Sequence, residues 1–355
     1  MPRPTKKPKE TDPYPPGWEP FLSAINADLD DDTSRHVFAD WFQENGDEPR
    51  AEFIRLQCEL ARGNIAGQRR AEQLLTEHRA RWLLGLPKGL RERPEWCVFR
   101  RGLLASLTVL GKHWSETSHF EWEWDAKGKE IRRITALEEL RFEQGWNTLM
   151  ESWSLIGLRA LTLSSAGSGM IESLAKSPIL PTLSDLSILA KGSDGTSQRS
   201  FRNLFASKKL TGLRRLCIES MGLGNVVAEG LSDPRFAGLE TLQLRHLSLD
   251  TVGAESLANS PAITNLRILD LLNNQFGDAG LRALLASPGL RKLEELNLAS
   301  CGLSAASAQL LTEWEGLRTV RKLDIRGSRI GPSERHIILS SPNAVLLTEE
   351  NIRIG

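Results

Sequence analysis

The residues with the most chemical potential crowd into one stretch, His113 to Asp125. There His113, Trp114, His119, Trp122 and Trp124 lie among Glu116, Glu121, Glu123 and Asp125. Imidazoles and carboxylates ligate metals, and exposed indole faces stack on rings and cations, so this is a candidate metal or ligand site. The ligand spacing argues the other way, because neither H-x-x-x-H nor H-E-x-x-H occurs. We read it as an inserted loop whose tryptophans cover the end of a core, with no structural zinc. A second polar group is Asp40, Arg50, Glu52 and Arg55, which suits either a site or an ion-pair network fixing two helices; we favour the network. A third, S-S-A-G-S-G from Ser164 to Gly169, has the glycines of a phosphate cradle but no lysine, and reads as the turn after a strand. There is no G-x-S-x-G elbow, no phosphate-loop motif and no zinc spacing, and the six histidines are scattered. The expectation is therefore no catalytic residue, no cofactor and no metal.

The elements that must position any site are clearest from Leu266 to Asp324. Rows of 27 give L-R-I-L-D-L-L-N-N-Q-F from Leu266, L-E-E-L-N-L-A-S-C-G-L from Leu293 and V-R-K-L-D-I-R-G-S-R-I from Val320. The period-two core predicts a strand with leucines inside and variable residues outside. Downstream, Asp278 to Pro288 has apolar residues at helical spacing, so each row adds a helix, with Pro288 near its end. One strand and one helix cannot bury their own apolar face, so rows must stack. This pattern resembles the leucine-rich repeat. Rows start at Leu137, Leu158, Leu183, Leu213, Leu239, Leu266, Leu293 and Val320, in steps of 21, 25, 30, 26, 27, 27 and 27 residues. The 30-residue step holds a loop insertion, Lys191 to Ser197. Arg101 to Val109 is expected as a capping first strand, and Ala344 to Leu347 as an end strand after a last helix. The long helical rows resemble the ribonuclease-inhibitor type of repeat, without its acidity or abundance of cysteine.

Ahead of the rows, residues 1–17 carry six prolines and four basic residues and are expected to be a disordered tail. Three helices follow. The first is capped by Thr33 or Ser34 and stopped by Asn45-Gly46, the second starts at Pro49, and the third runs from Gln68 to Leu84. Trp41 and Phe53 are expected to pack between the first two. Arg35 to Arg62, with Ala39-Asp40-Trp41, Gly46-Asp47 and Pro49 to Gln57, resembles the bacterial repeat-companion domain found N-terminal to leucine-rich repeats. An extra Glu48 departs from that family's usual G-D-P-R. The resemblance implies architecture and no chemistry. The expected organisation is a tail over 1–19, a helical companion domain over 20–95 and repeats over 96–355.

Lys+Arg and Asp+Glu are both 45, so no global field favours nucleic acid or an anionic membrane. No run of about 18 apolar residues is present. The N-terminus carries no apolar stretch behind its basic start, and Cys58, Cys97, Cys217 and Cys301 form no C-x-x-C pair, so a reduced, cytoplasmic protein is expected. The fold class is an α/β leucine-rich-repeat solenoid, parallel sheet inside and helices outside, with an N-terminal all-helical domain. Its concave face is expected to bind another protein, not nucleic acid or membrane. The residues assigned to that contact are Arg215, Glu219, Gln243, Arg245, Asp270, Glu295, Asn297, Lys322, Asp324 and Arg326. Gln243, Asp270, Asn297 and Asp324 form one column of water-exposed acceptors that would suit a partner's Lys or Arg side chains. The alternatives are a regulator of a nucleotide-dependent enzyme such as a small GTPase, or a cryptic enzyme or ligand site in the 113–125 loop.

Overall fold

The computed structural model describes residues 16–28, 31–84, 97–109, 139–142, 158–164, 166–177, 179–190, 197–220 and 222–354. The expected tail over its first 15 residues, the 113–125 segment and the 191–196 insertion lie outside them, as does Ser165 in the serine–glycine stretch. The chain separates into two compact units, Met1–Gly145 with Ser152–Leu158, and Trp146–Glu151 with Arg159–Gly355.

Among the described residues, the α-helices of the first unit are α1 (Glu19–Ala27), α2 (Asp32–Glu44), α3 (Glu48–Ala61) and α4 (Gln68–Trp82). Helix α1 was not expected, although Phe21, Leu22 and Ile25 follow Trp18 at helical spacing. Helix α2 is capped by Asp31, one turn earlier than Thr33 or Ser34. Its carboxylate accepts from Thr33 N at 2.9 Å and Ser34 N at 3.3 Å. The Thr33 hydrogen bonds chiefly hold the Asp31 carboxyl down at about 2. The aromatic packing also differs from expectation. Trp41 is half-buried and stacks against Phe21, Phe38 and Phe42. Phe53 is fully buried in a separate cluster with Trp82 at 4.7 Å and Phe99 at 5.9 Å. The two rings belong to different clusters, since the α3 residues packed with the α2 core are Ala51, Ile54 and Cys58. Arg50 lies between the clusters, 5.8 Å over Phe42 and 4.7 Å over Trp82.

Strands β1 (Cys97–Arg100) and β2 (Leu103–Val109) form an antiparallel hairpin, and β2 pairs in parallel with β3 (Glu139–Phe142). The expected strand thus starts two residues late. Arg101 and Gly102 are the turn, at φ 49° and 82°. A side chain at Gly102 would collide with the Ile54 backbone, and its N–H donates to Gln57 Oε1 at 3.2 Å.

The second unit is a leucine-rich-repeat solenoid. Its strands are β4 (Ala160–Ser164), β5 (Asp185–Leu189), β6 (Arg215–Glu219), β7 (Thr241–Arg245), β8 (Ile268–Asp270), β9 (Glu295–Asn297), β10 (Lys322–Asp324) and β11 (Ile352–Arg353). They pair in chain order, all parallel. Leucines and isoleucines point inward at alternate positions and are almost fully buried, for example Leu242 and Leu244. Each such side chain contributes roughly 1.5–3 kcal/mol by leaving water. The helices pack behind, as expected, including Thr251–Ala258, Gly277–Ala286 and Ala306–Glu313. The end strand is Ile352–Arg353 and not Ala344–Leu347, which is irregular with a bend at Val345 and Leu346.

Pro288 stands just past its helix end, as expected, and it and its counterparts also start a second, 3-10 helix in their rows, at Pro234–Gly238, Pro261–Ile263 and Pro288–Lys292. The preceding Asp233, Ser260 and Ser287 cap those turns. Side chains here also reach back one row to the carbonyls at helix C-termini, which lack intrahelical partners. Lys209 bonds to Lys176 O, Arg235 to Phe205 O, Ser260 to Leu231 O, Ser287 to Ala258 O and Ser341 to Thr312 O. Inside the solenoid, buried Asn274 donates to Leu244 O at 2.8 Å, and Cys301, one row on, donates to Leu271 O at 3.0 Å.

Candidate functional site

The concave face from β6 to β11 carries three ladders of outward side chains, and their behaviour changes at β8. Strands β4 to β7, whose central residues are Thr162, Ser187, Cys217 and Gln243, run five residues each. Strands β8 to β10 run three and stop on Asp270, Asn297 and Asp324. The cause is local. Asp270 Oδ1 accepts the Leu272 N–H at 3.0 Å, Asn297 Oδ1 the Ala299 N–H at 3.0 Å, and Asp324 Oδ1 the Arg326 N–H at 3.2 Å. Each side chain folds the backbone into a turn two residues on, taking an amide the ladder would otherwise use. The residue after each of those amides, Asn273, Ser300 or Gly327, then adopts positive φ, as does His246 in the row before.

The column read from sequence as a row of exposed acceptors is therefore partly an internal device. Asp270 is buried, and its second oxygen accepts from Arg245 Nε at 2.9 Å and Nη2 at 2.8 Å. Burial works to lower the Arg245 pKa, but the Asp270 partnership more than restores it, so the guanidinium stays charged. Arg326 grips Asp324 through Nε and Nη2, the latter at 2.6 Å. Burial pushes the Asp324 carboxyl up, and the Arg326 hydrogen bonds with the Arg353 charge outweigh it, holding the carboxyl below its usual range. In the flanking ladder Lys322 bonds Glu295 at 2.7 Å, and Arg215 bonds Asp185. Glu219 lies 3.9 Å from Arg245.

Between β7 and β11 the face encloses a recess of about 380 Å³, whose walls include Gln243, Ile268, Asn297 and Lys322 and whose far side is Glu350, Asn351 and Arg353. All ten residues assigned from sequence lie on this face, seven of them in the recess wall and Arg215, Glu219 and Arg326 among its ladders. Arg353, Glu350 and Asn351 were missed because the end strand was placed too early. What the surface offers is hydrogen bonding and charge. Cys217, midway along β6, has its thiol pKa raised by burial, which disfavours the nucleophilic thiolate.

The other candidates do not converge. Asp40 bonds Arg55 at 2.5 Å and Glu52 bonds Arg70, tying α2 to α3 and α3 to α4. Arg50 is buried, 4.7 Å over the Trp82 ring. Gly167 and Gly169 sit at and just inside the start of the helix Ser168–Lys176 after β4.

Comparison with known proteins adds a family match and several structural similarities. A family model described as "Leucine Rich repeat" matches residues 262–285, the segment that carries β8. No curated protein matches the chain. It is similar to a protein of solved structure from Bacteroides fragilis, at 14% identity and TM-score 0.44 over 81% of this chain and 82% of that one. An internalin from Listeria monocytogenes is similar at 16% identity and TM-score 0.35, covering 60% of this chain and 61% of its own. A leucine-rich-repeat protein from Leptospira interrogans gives 11% identity and TM-score 0.17 over 64% and 92%. At these values the similarities assign no activity or partner. Among the described residues no helix is long and apolar enough to cross a membrane. What the comparisons place in this chain is a leucine-rich repeat at the row where the concave site begins to close on itself.

Proposed function

We propose that this protein is a non-catalytic recognition module that docks another protein on the concave face of β6 to β11. The observation that supports it is a sheet face, paved with paired charges, around a recess of about 380 Å³. Side chains fixed on strands form a preorganised surface, and alternating charge confers orientation and selectivity on a docked partner. Proteins with this repeat commonly act through such contacts, but the fold alone leaves the partner open. The reading includes a companion role for the helical region, a ribonuclease-inhibitor-like repeat type and action in the bacterial cytoplasm, each resting on the sequence resemblances and composition. The test is capture from the native cell by the immobilised full chain and by a Lys322→Glu/Arg326→Glu variant. Proteins held by the parent and lost from the folded variant support the reading; identical capture by both puts the binding surface elsewhere.

A further inference from the structure

The charges on this face cancel in number but not in depth. The Asp270 and Asp324 side chains are 8% and 14% exposed, whereas those of Lys322, Arg353 and Arg326 are 67%, 66% and 54% exposed. Asp270 and Asp324 form the floor and are committed to neighbours, while Lys322, Arg326 and Arg353 stand above them with donors to spare. Glu219 and Glu295, at 42% and 40%, are intermediate and Arg245, at 30%, lies lower. Arg326 uses Nε and Nη2 on Asp324, leaving Nη1. Arg353 lies 3.9 Å from Asp324, too far for a hydrogen bond. Lys322 has three donors, one of them on Glu295.

From this layering, and resting on the docking role proposed above, we infer that the face takes an acidic, extended segment of the partner protein, its carboxylates bonded to Lys322, Arg353 and Arg326. The cations cluster. Arg326 Nη2 lies 2.6 Å and Arg353 Nη1 3.9 Å from the same Asp324 oxygen, and Lys322 is two residues before Asp324 on β10. Closely spaced acids on one segment can therefore engage all three together. This reverses the expectation of a Lys- or Arg-bearing partner. A continuous polyphosphate suits the face less well. Glu295 at 40% exposure and Glu350 on the far wall interrupt the cations, and the chain has no net positive charge to draw nucleic acid.

The experiment uses the folded full chain and three short fluorescent probes of equal length: a peptide alternating Glu and Ser, its Lys and Ser counterpart, and single-stranded DNA. Anisotropy should show the acidic peptide binding more tightly than either other probe, with affinity falling as salt rises. The variant Lys322→Glu/Arg353→Glu should weaken it roughly tenfold or more. Lys292→Glu, a reversal at a cavity away from this face, should leave it unchanged. Tighter binding of the basic peptide or the DNA, binding that survives the double reversal, or no binding of the acidic peptide would overturn the inference. Basic-peptide binding that is lost on Glu295→Lys would remove the acidic assignment while leaving the docking face in place, so the two proposals fail separately.

Discussion

Replacing Asp270 tests whether the column is structural. The side chain accepts from the Leu272 amide at 3.0 Å and from Arg245 at 2.9 and 2.8 Å, at only 8% exposure. Alanine removes all three bonds. Breaking a fully buried ion pair costs roughly 3–5 kcal/mol, and an orphaned amide adds about 1 kcal/mol. Arg245 is 30% exposed and keeps Glu219 at 3.9 Å, so water and that neighbour recover part of the loss. The expected cost of Asp270→Ala is about 2–4 kcal/mol. Asp270→Asn keeps one oxygen for the Leu272 amide but turns an NH2 donor toward the Arg245 guanidinium, so it should recover about 1 kcal/mol of the alanine cost and no more. Urea denaturation of the full chain, followed by circular dichroism, measures both. Equal costs for the two variants would mean that the turn hydrogen bond contributes nothing, and a cost under about 1 kcal/mol for alanine would sink the argument. At Asp270 a lysine would set an ammonium against Arg245, so charge reversal there should cost at least as much as alanine.

Further expectations follow from packing and titration. Phe53→Ala should cost about 3–5 kcal/mol and half-buried Trp41→Ala less; an unfolding shift under about 1 kcal/mol for Phe53 would contradict its burial. Gly327→Ala should cost about 1–2 kcal/mol, since φ is 66° and the added carbon would press on Ser300 Oγ; unchanged stability would refute it. Burial pushes the Cys58 and Cys301 thiols up to about 12, so a thiol reagent at mildly alkaline pH should label them only after denaturation. Burial works to raise the Asp278 and Asp324 carboxyls, but the Ser304 and Ser307 hydroxyls and Arg326 respectively hold them low. With folded values depressed, their stabilisation is complete above the unfolded value of about 3.9 and is lost as pH falls through the folded values. Asp324→Asn should therefore flatten the acid limb of Tm against pH, and an unchanged slope would count against this.

The later rows were legible because three identical steps of 27 residues and a period-two core leave only one stacked arrangement. Helix α1 carried the right spacing but sat behind a proline-rich segment whose composition dominated the reading. Strand β1 had no independent signal, since it exists through a turn at Arg101–Gly102 where an arginine takes positive φ. The candidate face was visible as columns, but whether Asp270 serves a partner or its own backbone depends on dihedral angles that composition does not encode. A clue was available. Asp or Asn recurs at that position in three consecutive rows and in no earlier one, always three residues before Asn, Ser or Gly, the residue types that tolerate a turn. Arg353 had no clue, because it lies outside the repeat grammar.

The side chains that reach back along the helices give the solenoid a polarity. In each of the five bonds the later row donates and the earlier row accepts. A cut made within the array is therefore asymmetric. The piece that keeps the earlier rows ends on a helix carbonyl and the piece that keeps the later rows on an idle hydroxyl, ammonium or guanidinium, so one cut face is an acceptor and the other a donor. A tandem copy of a row that carries such a donor brings the partner for the helix end before it.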